Sequence, residues 1–297
     1  MFELSIVPSD LRQLTQAQLD VRQLGPARLP SPLTSGDARY DFGADRARVV
    51  ASALASETPG LSFEKAGPRR EIFFEPAQTR VGIVSCGGLC PGTNSVIRSA
   101  VLQLHHAYKV RDVLGFRFGF EGLSAAQGAA PISLTPALVS NIHLSGGSVL
   151  GFGRGAQSSA AMVQRLRELE VSALIVIGGD GTLRGAHALA EEAARAGYRL
   201  SVVGVPKIDP SYMIRSVPSN ASDNRYCDLL ASHAVHAALA GKTDLVIGHV
   251  NGNFVHVPLA LVSTHKRRIA GDSELWYSVT STTGQPALRA QAAKEVT

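Results

Sequence analysis

The chain has little charge, few cysteines and no long apolar run. Charged residues make up 18% of its 297 residues, and hydrophobic residues make up 45%. That balance excludes a disordered or coiled-coil protein and leaves material for a sizeable core. Three cysteines exclude a disulfide scaffold and suit a reducing compartment. The longest apolar run, Ala173 to Ile177, is too short to span a bilayer. The N-terminus, Met-Phe-Glu-Leu-Ser, lacks the basic start of a signal peptide, so a cytoplasmic protein without a membrane segment is expected. No block of Lys and Arg accounts for the net charge of +5, and no aromatic-rich basic stripe accompanies it. Small anionic ligands explain that charge better than nucleic acid does. Neither the Walker A pattern nor a Gly-x-Gly-x-x-Gly following a strand is present.

What is present is a regular alternation of strand and helix patterns from Thr79 onward. Strands are expected at Arg80–Ser85, Lys109–Phe116, Ala173–Ile177 and Ser201–Val205, with others near Leu245–Val250 and Phe254–Leu259. Helical spacing marks Thr93–His106, Ala160–Leu169, Leu183–Ala196 and Ser222–Ala240. The alternation implies an α/β fold, an open parallel sheet with helices on both faces. The first 75 residues are mixed, with prolines at 26, 30 and 32 and a short helix expected around Arg46–Ala55.

Two glycine turns fall at strand ends, where such sheets place their ligand crevice. One is Cys86-Gly87-Gly88-Leu89-Cys90-Pro91-Gly92. The other is Gly178-Gly179-Asp180-Gly181-Thr182. Glycines before a helix let backbone amides approach a phosphate, and the helix dipole favours its charge. Asp180 is placed to hold Mg²⁺, and Thr182 to donate its hydroxyl to a phosphate oxygen. A plain tight turn capped by Asp180 is the structural alternative. Arg215 stands in a hydroxyl-rich stretch that suits either a bound phosphate or a surface ion pair. Cys86 and Cys90 offer too few thiols for a structural zinc site even with Cys227. His233 and His236 share one helix face and read as structural residues.

Taken in order, the motifs resemble those of the phosphofructokinase family, nearest its plant-like and bacterial ATP-dependent branch. They are Gly87-Gly88-Leu89-Cys90-Pro91-Gly92-x-Asn94, Gly115-Phe116-Arg117-Phe118-Gly119, Leu150-Gly151 with Arg154-Gly155, and Gly178 to Thr182. Gly204-Val205-Pro206-Lys207, Ile208-Asp209-Pro210-Ser211-Tyr212-Met213-Ile214-Arg215, Asn220 to Asn224 and Gly248-x-Val250-Asn251-Gly252 continue the series. The resemblance implies a Rossmann-like, phosphofructokinase-like fold and transfer of the ATP γ-phosphoryl group to fructose 6-phosphate in glycolysis. It implies nucleotide contacts at Gly88, Arg154, Gly155, Gly179, Asp180, Gly181 and Thr182, with Mg²⁺ on Asp180. It implies sugar-phosphate contacts at Tyr212 and Arg215, and a homo-oligomer, dimer or tetramer. Gly181 favours ATP, because pyrophosphate-using relatives tend to carry Asp at that position.

One departure is large. In relatives the Pro-Lys motif runs into Thr-Ile-Asp-Asn-Asp, whose first Asp is the proton-accepting base, and a long segment follows. Here Lys207 joins Ile208-Asp209-Pro210 directly. Pro210 and Tyr212 place Asp209 in the downstream element, leaving it the candidate base in a position the motif does not support. The expected organisation is an extension over residues 1–75, an ATP-binding lobe over 76–207 and an incomplete second lobe over 208–297. Turnover is expected to be impaired, or the chain serves as a non-catalytic nucleotide-binding or regulatory subunit of an intact relative.

Overall fold

The computed structural model describes residues 14–34, 42, 47–50, 61–124, 129–207, 216–264 and 274–283. Its main sheet has nine strands: β1 Arg48–Val49, β2 Phe63–Lys65, β3 Arg80–Ser85, β4 Asp112–Phe116, β5 Ile132–Ser133, β6 Val171–Gly178, β7 Ser201–Pro206, β8 Leu245–Val250 and β9 Asn253–Pro258. Helices α1 Thr93–His106, α2 Ser159–Glu168, α3 Asp180–Arg195 and α4 Ala221–Leu239 follow or precede these strands, and the short α5 Leu259–Thr264 ends the unit. Residues Met1–Thr264 and His265–Thr297 form separate compact units, the second containing α6 Glu274–Thr283.

Across the sheet the order is β1-β2-β9-β8-β7-β6-β3-β4-β5. The five strands from β8 to β4 are parallel, and the flanking pairs are antiparallel. Taken in chain order, the parallel strands lie second-first-third-fourth-fifth. The winding therefore reverses between β3 and β6, which pair directly. The chain leaves β3 for one side of the sheet and leaves β6 for the other. The loops beyond those two strands part and open a crevice at their carboxyl ends.

Alternation along the strands supplies both faces. Val84, Phe116, Leu174, Val176 and Val202 pack with Met162 and Leu166 of α2 and Leu183 and Leu189 of α3. Val81, Ile83, Ala173, Ile175 and Val203 pack with Ile97 and Leu104 of α1 and Leu230 and Val235 of α4. Each fully buried aliphatic side chain contributes about 1.5–3 kcal/mol. Two full layers explain why this α/β sheet is stable with helices on both sides. Strand ends follow local chemistry. Lys109 takes a left-handed φ of 65°, so β4 begins only at Asp112. At the end of α3, Gly197 adopts a φ of 63° and Tyr198 N–H donates back to the Ala193 carbonyl, closing the helix.

Two local expectations are corrected. The helix around Arg46–Ala55 does not form at Arg48–Val49, where the chain pairs antiparallel with β2 and β-branched Val49 is buried in the sheet. Residues 51–55 lie outside the described set. Helix α3 starts at Asp180 rather than Leu183, because Gly179 in extended conformation serves as its N-cap. Asp180 is thus in the first helical turn, not the cap.

Candidate active site

The crevice is built from the loops that leave β3 and β6, with a third strand helping. Beyond β3, Cys86 N–H still donates to the Ile177 carbonyl, so the turn starts in register with β6. Gly87 and Gly92 take φ of 90° and 87°, conformations open to glycine. A Cβ on Gly92 would lie 2.5 Å from the Cys227 sulfur, so the turn packs hard against α4.

The loop 146–155 closes one wall. Ser85 Oγ donates to the Gly151 carbonyl at 2.9 Å and meets Ser148 Oγ at 2.8 Å. Asn94, in the first turn of α1, accepts from Val149 N–H at 2.8 Å and donates to the Ser145 carbonyl at 3.0 Å. Gly87 N–H donates to the Gly153 carbonyl. These bonds tie the loop to the turn. Between them lies a cleft of about 750 Å³ lined by Gly88, Leu89, Ser148, Phe152, Arg154 and Ser216, together with glycines of the loop. Gly88 and Arg154 are brought together on this cleft, and Gly155 adjoins it.

Gly179, Asp180, Gly181 and Thr182 sit at the end of β6 and the start of α3, so four unpaired amides of the helix face the same crevice. They do not line the 750 Å³ cleft itself. What joins them to it is Lys207, one residue past β7. Its ammonium donates to the Gly88 carbonyl at 2.6 Å, and its backbone N–H donates to the Gly178 carbonyl at 3.0 Å. A Cβ on Gly87 would lie 3.8 Å from both the Lys207 ammonium and the Thr182 hydroxyl. Lys207 was missed as a site residue. Its place one residue beyond a strand adjoining the winding reversal was the signal that would have found it.

The glycines divide into two kinds. A Cβ on Gly178 would fall 2.4 Å from Thr182 Oγ1, and one on Gly153 would fall 1.9 Å from the Phe118 carbonyl oxygen. Those are packing requirements. A Cβ on Gly155 or Gly179 would meet nothing within 4 Å, and one on Gly181 would meet only the Arg184 guanidinium at 3.8 Å. Gly179 has a negative φ, so neither neighbours nor backbone demand glycine there. Open space before these amides is a cradle that side chains would fill, and a phosphate fits it.

The chemistry of the crevice is electrostatic. Asp180 and Arg154 are exposed. Burial pushes the Cys86 thiol up to about 12, so it is no nucleophile. Burial, then the neighbouring Cys90, pushes Cys227 up to about 12 as well. A single exposed carboxylate beside a phosphate cradle fits Mg²⁺, which takes one or two carboxylates and completes its shell with phosphate oxygens and water. Another group of donors, His187, Glu191 and Asp244, lies within 4.8 Å of one another, at the N-terminal end of β8. There Arg22 already supplies a positive charge to Glu191 and Asp244. Asp209, Tyr212 and Arg215 lie outside the described residues, which resume at Ser216.

Fold and crevice together define an α/β protein with two glycine turns meeting at its winding reversal. Comparison with known proteins narrows the class. The family model for phosphofructokinase matches residues 80–209, from the start of β3 to two residues past Lys207. An ATP-dependent 6-phosphofructokinase of Amycolatopsis methanolica is 29% identical over an alignment of 446 positions, covering 93% of this chain and 97% of the relative. One of Trypanosoma cruzi is 41% identical over 250 positions, covering 80% of this chain but only 50% of the relative. The solved pyrophosphate-dependent phosphofructokinase of Marinobacter aquaeolei shares the fold, with a TM-score of 0.58 at 12% identity over 65% of this chain and 86% of that one. Over residues 80–209 the chain resembles the phosphofructokinase family. No described helix is long and apolar enough to cross a membrane.

Proposed function

We propose that this chain is a 6-phosphofructokinase by descent that retains the MgATP half of the site and turns over weakly or not at all. One observation carries the reading: the two glycine turns flank the winding reversal and are tied together by Lys207. Phosphoryl transfer depends on positioning and charge more than on covalent chemistry. The amides of Gly88, Gly179, Gly181 and Thr182, with Arg154 and Gly155, hold the phosphates of ATP. Asp180 holds the metal. Mg²⁺ held by Asp180 would supply positive charge to the transferring phosphoryl group.

The sugar side is the deficient one. Fructose 6-phosphate would contact Tyr212 and Arg215, and Asp209 is the single carboxylate between Lys207 and Ser216. Only residues 208–215 separate the Lys207 turn from the stretch leading into α4. An alignment of 446 positions against 297 residues leaves well over a hundred of the relative's positions unmatched, which supports loss of a segment carrying the base. Leu89, Leu144, Val149 and Val217 are each more than a third exposed near the cleft, as expected where a covering lobe is missing. That rim also favours the second reading, a nucleotide-binding or regulatory partner of an intact relative. Co-purification with a longer homologue would mark it. A cytoplasmic homo-oligomer in glycolysis is the setting we infer for the first reading.

Calorimetric titration with ATP tests the retained half. Saturable binding that needs Mg²⁺ is expected, weakened about tenfold or more in Asp180→Ala. Binding indifferent to both the metal and Asp180 would overturn the assignment.

A further inference from the structure

A second cleft of about 370 Å³ lies at the opposite end of the sheet. Its lining includes Thr79, just before β3, Ser172, the second residue of β6, and Arg199, two residues before β7. These three strands are the ones whose far ends carry the Gly87 turn, the Gly179–Thr182 turn and Lys207. Eight extended residues of β6 separate the two clefts by about 25 Å, so this is not part of the crevice.

The lining combines two arginines with two aromatic rings. Arg28 and Arg199 are exposed, and neither guanidinium has a hydrogen bond or ion pair among the described residues. Phe73 is held rigidly. A Cβ on Gly25 would lie 3.0 Å from its ring, one on Gly241 would lie 2.5 Å from its Cβ, and its N–H donates to the Leu239 carbonyl at 2.8 Å. Phe74 meets it edge-to-face, with centroids 4.9 Å apart. Glu75 is the single carboxylate in the lining, leaving the cleft net positive.

We propose that this cleft binds a small organic anion with a flat apolar body, a phosphate or carboxylate ester of about one ring. The anionic group meets Arg28 and Arg199, and the ring lies on Phe73 and Phe74. Two uncommitted planar guanidinium groups suit two oxygens of one anion, and preset aromatic surface lowers the ordering cost of binding. The volume is within the usual range for small-ligand pockets.

Phenyl phosphate is the probe, titrated by calorimetry and by saturation-transfer NMR against the whole chain. Saturable binding is expected, weakened about tenfold or more in R28A/R199A and unchanged in Arg154→Ala. Lysine at both positions, R28K/R199K, keeps the charge and is expected to retain part of the affinity. Thermal unfolding of each variant checks that these exposed substitutions leave the fold intact. If R28A/R199A fails to fold, the single variant Arg199→Ala carries the test. Binding that survives loss of both arginines, binding abolished by Arg154→Ala, or no saturable binding overturns the proposal. Inorganic phosphate binding as tightly as phenyl phosphate would overturn the aromatic part.

Discussion

At the scale of single residues, adjacent glycines carry opposite duties. Gly178 is required by packing, since a Cβ would sit 2.4 Å from Thr182 Oγ1. Gly178→Ala should cost about 1–3 kcal/mol in urea unfolding. Gly181, inside the first turn of α3, faces open space. Gly181→Ala should leave stability unchanged or raise it by about 0.5–1 kcal/mol, because Ala is the better helix former. The same variant should still lose ATP affinity, read by titration, because the methyl group occupies the cradle. Gly-Gly-Asp-Gly-Thr was legible in the sequence as a glycine turn between a strand and a helix. Which of its glycines answers to packing and which to a ligand was not, since that depends on where Thr182 and Arg184 point.

Histidines set an acid limit. Burial, reinforced by the nearby charges of Arg69 and Lys65, lowers His233 to about 4. Burial also lowers His256 to about 4 despite the opposing Glu64, and takes His236 well below the usual range. All three fold as neutral imidazoles, while the unfolded chain takes up protons near pH 6.5. Their contribution to stability is therefore full above about pH 6.5. It falls as the pH drops toward 4, by on the order of 3 kcal/mol for His233. Unfolding midpoints measured across this window should fall toward acid, and His233→Phe should flatten the slope.

At the scale of elements, the site depends on how helix starts are pinned. Asn224 of α4 accepts from Ser95 and Ser219 hydroxyls and donates to the Ser219 carbonyl. This couples the start of α1, which follows the Gly87 turn, to the stretch emerging from residues 208–215. Asn224→Ala should cost about 1–3 kcal/mol, because the buried Ser95 hydroxyl and the half-buried Ser219 hydroxyl lose their shared acceptor and keep only each other. Hydrogen exchange should speed up at Asn94 and Ser95. Periodicity found Thr93–His106 residue for residue and located the other long helices within a few positions. Strand order escaped it, because β3 and β6 pair across 85 or so residues of chain and nothing local encodes that partner. The antiparallel hairpin of β8 and β9 was read as two strands without its direction, although Asn251 and Gly252, with φ of 47° and 73°, form its turn.

For the whole molecule, the sheet gathers strands from residues 48–49 through 253–258 into one unit. The crevice assembled at its reversal point brings together the two glycine turns and Lys207, the parts we propose for MgATP. In the proposed reading the sugar-phosphate contacts fall within residues 208–215 of the sequence, and Leu89, Val149 and Val217 stand exposed near the cleft. Motif order made the family legible, because each motif is a local turn with local chemistry. The proposed balance between a retained nucleotide site and an incomplete sugar site would be a property of the assembled whole. The most direct measurement is steady-state phosphoryl transfer by purified chain with saturating MgATP and fructose 6-phosphate. The account predicts MgATP binding with turnover far below the roughly 1–100 s⁻¹ usual for kinases. Turnover within that range, abolished by Asp180→Ala, would contradict it.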